Sequence, residues 1–66
     1  MIAQMTPKER FLALLNQDIA TYERSAAEWQ RLKDAGNYPE ESSAQISRCR
    51  AYAQELRALK KKFEAS

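Results

Sequence analysis

Thr6-Pro7-Lys8-Glu9 opens the stretch whose reading decides the fold, and Ala35-Gly36 closes it. The opening has the form of a capping box: a hydroxyl to accept the N3 amide, proline at N1, and a glutamate at N3 that reaches back. Behind it Leu12, Leu15, Ile19, Tyr22, Ala26 and Trp29 step by alternating threes and fours, the apolar seam of a packed helix. Ala35-Gly36 supplies a left-handed C-terminal cap. The spacing therefore predicts one long helix over about 7–34.

A second ladder follows in Ile46, Cys49, Ala53, Leu56, Lys60 and Phe63. It predicts another helix over about 39–64, with Pro39 in its first turn and Glu40 and Glu41 at the positive end of its dipole. Only residues 35–38 separate the two, a turn that holds the single glycine. A connection this short makes the helices antiparallel neighbours. Proline at 39 is expected to keep Tyr38 extended. Residues 1–5 read as a short apolar arm, and the whole chain as one all-α domain.

The ladders are wider than a two-stranded coil requires. With Leu12 taken as heptad position a, position g adds Phe11 and Leu32; with Ile46 as a, it adds Tyr52 and Leu59. Each helix then carries three apolar rows, and two helices facing each other cover only part of them. A homodimer forming a four-helix bundle is the expected solution. Its shared core would hold Leu12, Leu15, Ile19, Tyr22, Trp29, Ile46, Leu56 and Phe63.

Size points the same way. A chain of 66 residues buries only about 60% of its unfolded surface and is marginal without a staple or a partner. One cysteine forms no internal disulfide, and with no histidine a metal site lacks its usual ligands. No metal, cofactor or membrane span is expected, and the lone thiol and absence of a targeting segment suit the cytoplasm. Charge is uneven. Residues 1–41 hold five Lys/Arg against seven Asp/Glu, and residues 42–66 hold six against two. Antiparallel pairing sets the basic helix beside the acidic one.

No catalytic constellation is visible. Cys49 lies between Arg48 and Arg50, yet it sits on the apolar ladder with no histidine to act as base, so it reads as a small core residue. Glu9, Asp18, Glu23, Glu28 and Asp34 read as solvated acids on the outer face of the first helix. Lys60-Lys61-Lys62 complements the end of a helix dipole. Together with Arg48, Arg50 and Arg57, those lysines are also the material for an alternative reading, an RNA- or DNA-binding bundle.

Features that the bundle core does not need mark a candidate partner surface: Phe11 and Leu14 beside the arm, Tyr38 in the turn, and Ala44, Ala51 and Ala58 at heptad spacing. In architecture the chain resembles the Rop-like RNA-binding regulators, helical hairpins that dimerise into four-helix bundles. The turn Gly36-Asn37-Tyr38-Pro39-Glu40 is also similar to the Gly-x-x-Pro-Glu turn of the small E-type co-chaperones of type III secretion. The first likeness implies a nucleic-acid partner, the second a heterodimeric chaperone. The residues themselves lead to a non-enzymatic protein–protein interaction module: an adaptor, inhibitor or co-chaperone, of phage origin in one version, that binds and modulates a larger protein.

Overall fold

The computed structural model of the chain describes residues 4–65, so Met1, Ile2 and Ala3 of the expected arm lie outside the described residues. Two helices, α1 (Pro7–Asp34) and α2 (Pro39–Ala65), pack against each other as an all-α hairpin. Among the described residues there is no strand.

The start of α1 is built by its cap. The Glu9 amide donates to Thr6 Oγ1 and the Thr6 amide donates to Glu9 Oε1, both at 3.1 Å. Two of the helix's orphan donors are thereby satisfied reciprocally. The two bonds from Thr6, backbone first and hydroxyl second, hold the Glu9 carboxyl below the usual carboxylate range. At the other end the Asn37 amide bonds the Leu32 carbonyl at 2.9 Å and the Gly36 amide bonds the Lys33 carbonyl at 3.0 Å. Gly36 has φ 81°, and the two bonds together are a Schellman cap.

The turn departs from expectation at Tyr38. Its φ is 47°, in the left-handed region, where the proline that follows was expected to hold it extended. Reversing the chain in four residues takes two left-handed steps, one at Gly36 to end α1 and one at Tyr38 to swing Pro39 into α2. Ser42 holds the second. Its amide donates to the Tyr38 carbonyl at 2.8 Å, and its hydroxyl donates to the Asn37 carbonyl at 3.3 Å. Ser42 is the one fully buried side chain among the described residues. These first-turn bonds of α2 outweigh a local preference worth about 1–2 kcal/mol.

The core is thin. Its buried apolar residues are Leu15, Ile19 and Ala26 on α1 and Ile46, Cys49 and Ala53 on α2. Ala26, Cys49 and Ala53 are small and let the helices approach closely. The hairpin measures 48 × 29 × 11 Å over its Cα atoms, one helix layer thick. Its radius of gyration is 15.4 Å, against about 11 Å for a compact domain of this length. Its surface is 5462 Å², against about 4,300 Å² for a compact monomer of this mass.

Candidate interaction surface

The core row divides the hairpin into two unlike flanks, and consecutive residues show it. Tyr22 and Glu23 lie about 100° apart on α1, on either side of the line through Ile19 and Ala26. Tyr22 reaches across to the Tyr52 ring, with centroids 5.2 Å apart and planes tilted by 54°. Glu23 reaches across the opposite flank to an ion pair with Arg57. Phe11 and Phe63 meet on the Tyr22 flank, with centroids 4.6 Å apart and a tilt of 56°. Tilted rings at these distances are favourable beyond their burial.

The tyrosine flank is apolar along the length of the hairpin. Tyr22, Trp29, Leu56 and Phe63 are half-buried on it, and Phe11, Leu32, Tyr52 and Leu59 stand 38–44% exposed. Its polar interruptions on α1 are Asp18 and the half-buried Ser25. The other flank is a shallow groove lined by Glu23, Ala26, Ala27, Gln30, Arg50, Gln54 and Arg57. One flank therefore resembles the inside of a protein and the other a solvated surface.

Of the eight expected in a shared core, Leu15, Ile19 and Ile46 are buried within the single hairpin. Leu12, Tyr22, Trp29, Leu56 and Phe63 are half-buried. The candidate partner residues do not form one patch. Phe11 and Leu14 lie near the start of α1, and Phe11 is engaged by Phe63. Tyr38 is 68% exposed at the turn, the far end of the molecule, while Ala44, Ala51 and Ala58 are exposed along the outer side of α2. Sequence reasoning missed Ser42. Its signal was a small polar residue one turn into α2, where a side chain can fold back on the loop.

No group of three or more His, Cys, Asp or Glu among the described residues could hold a metal ion. Cys49 is a free, buried thiol. The cations of α2 are divided: Arg57 is committed to Glu23, Arg50 lines the polar groove, and Lys60 is half-buried on the core row. No helix among the described residues is long and apolar enough to cross a membrane. Comparison of the chain with protein-family models, with curated proteins and with solved structures finds no match.

Proposed function

We propose that this chain is a non-enzymatic protein–protein interaction module whose hairpin self-associates, through its tyrosine flank, into a four-helix bundle. The observation that carries the reading is that flank, an aromatic surface as long as the molecule that a single hairpin leaves half uncovered. The excess surface over a compact monomer is about 1,200 Å². With that flank covered, Tyr38 and the outer side of α2 stay available to a larger protein, so the assembly can serve as an adaptor, inhibitor or co-chaperone. A reducing, cytoplasmic setting suits its one buried thiol.

Sedimentation equilibrium on the purified chain tests this. The expected result is a discrete mass near twice 7.6 kDa. A folded, soluble monomer across the micromolar range overturns the self-association. Unfolded material rescued by co-expression with a second protein of the host would replace the second copy with a different chain, as in a heterodimeric chaperone.

A further inference from the structure

Resting on that reading, we infer that the second copy docks antiparallel, with its two-fold axis at the Tyr22–Tyr52 level, and that a charge stripe on α2 encodes this register. Glu41, Arg48, Glu55 and Lys62 recur every seven residues along one side of α2, and their signs alternate from acid to base. Heptad spacing places all four in one row, bordering the row of Tyr52 and Leu59 on the apolar flank. Their neighbours at three and four residues along the described helix are uncharged: Ala44, Ala51, Ala58 and Ala65 among them. No ion pair within the chain engages any of the four among the described residues. Four charges without helical partners, in a row beside an uncovered apolar face, point to partners from outside the chain.

The sequence of signs selects one arrangement. When α2 lies antiparallel on its own copy, Glu41 meets Lys62 of the second copy and Arg48 meets its Glu55. Both pairs are centred at the same point, between Ala51 and Tyr52. A parallel pairing of the same helices would set each charge against itself. A hairpin docked with both turns at one end would also bring together two Lys60–Lys62 runs.

The apolar flank of α1 agrees independently. Its outermost row is Phe11, Asp18, Ser25 and Leu32, centred between Thr21 and Tyr22. The ring contacts set Tyr22 level with Tyr52. About that centre Phe11 meets Leu32 of the second copy, and Asp18, the carboxylate in this row, meets the hydroxyl of its Ser25. Both helices thus place the axis at one height within a residue, about 1.5 Å of rise. Apolar side chains oppose apolar ones, and each polar side chain opposes a partner able to satisfy it.

Charge reversal in the full chain tests the register. Arg48→Glu and Glu55→Arg are made singly and together, and dimer dissociation is measured by sedimentation equilibrium at low salt. Each single change turns two symmetry-related attractions into repulsions and is expected to weaken the dimer about tenfold. The double variant restores opposite charges across the axis and is expected to return to within about twofold of the starting chain. Because neither residue has a charged helical neighbour, an effect confined to one chain has no means of cancelling in the double variant. In a Cys49→Ser background, Tyr52→Cys is expected to cross-link to its own copy on mild oxidation. A dimer that is indifferent to both single changes, or weakest in the double variant, overturns the register and leaves self-association standing. A chain that stays monomeric overturns both.

Discussion

Two residues beside the turn carry opposite consequences for stability. Tyr38 holds φ 47° with its ring 68% exposed, so its backbone is strained while its side chain packs little. Asparagine tolerates the left-handed region better than tyrosine does. Tyr38→Asn is therefore expected to stabilise the hairpin by about 0.5–1 kcal/mol in urea unfolding; a clear loss of stability would show that the ring contributes more than the strain costs. Ser42 is the reverse case, fully buried with its hydroxyl on the Asn37 carbonyl. Ser42→Ala loses one hydrogen bond, about 1 kcal/mol, whereas Ser42→Leu forces extra volume into closed space and is expected to cost about 2–3 kcal/mol. The order of the two midpoints checks the account, since a leucine as well tolerated as alanine would mean that the site is not closed.

At the scale of an element, α1 depends on its first turn. Glu9 has its pKa lowered by the two Thr6 bonds, so the folded state favours its ionised form. The sign follows from linkage: a depressed carboxylate contributes stability that is present above its unfolded value and lost as pH falls through the folded one. Acidification below about pH 4 is therefore expected to fray the N-terminus of α1 before the rest of the helix, by the reference pKa of glutamate. Amide exchange at Glu9 and Arg10, followed against pH, checks this. Thr6→Ala removes the hydroxyl partner and is expected to destabilise α1 by about 1 kcal/mol and to weaken that pH response in part, since the amide of residue 6 still reaches Glu9. The response should survive in a Glu64→Gln control, because Glu64 lies at the far end of α2.

The whole molecule is a slab with too little interior for its surface, and the expected behaviour of charged substitutions follows from that. Ile19 is buried in the single hairpin, so Ile19→Asp leaves an unpaired charge in a thin core and is expected to abolish cooperative unfolding, a loss of several kcal/mol. Leu59 and Ala51 are both exposed in one chain, on different sides of α2. If the tyrosine flank is covered by a second copy, Leu59→Glu lowers the melting temperature and removes its dependence on protein concentration, while Ala51→Glu, beside Arg48 and Glu55 but off the apolar flank, has a much smaller effect on both. Equal effects from the two would locate the contact away from the tyrosine flank. Ala51→Glu then becomes the probe for the larger partner, and a pull-down weakened at least tenfold, about 1.4 kcal/mol, would place that contact on the outer side of α2.

Much of the hairpin was legible in the chain itself because its signals are local. A capping box, two apolar ladders at helical spacing and a glycine at the stop are short-range features, and α1 begins and ends at Pro7 and Asp34 as they predict. Three apolar rows per helix could also be read there. Tyr38 was not legible: the preference before proline is a local energy of about 1–2 kcal/mol, and it yields to two equally local bonds, from the Ser42 amide to Tyr38 and from the Ser42 hydroxyl to Asn37, whose geometry residue types alone do not show. Nor could the division into flanks be read from either helix alone. Whether Tyr22 and Tyr52 share a side, and Glu23 and Arg57 the other, depends on how two antiparallel cylinders are rotated and set level against each other. The rotation that buries Ala26 and Ala53 is set in three dimensions, and with it which apolar row is left facing water.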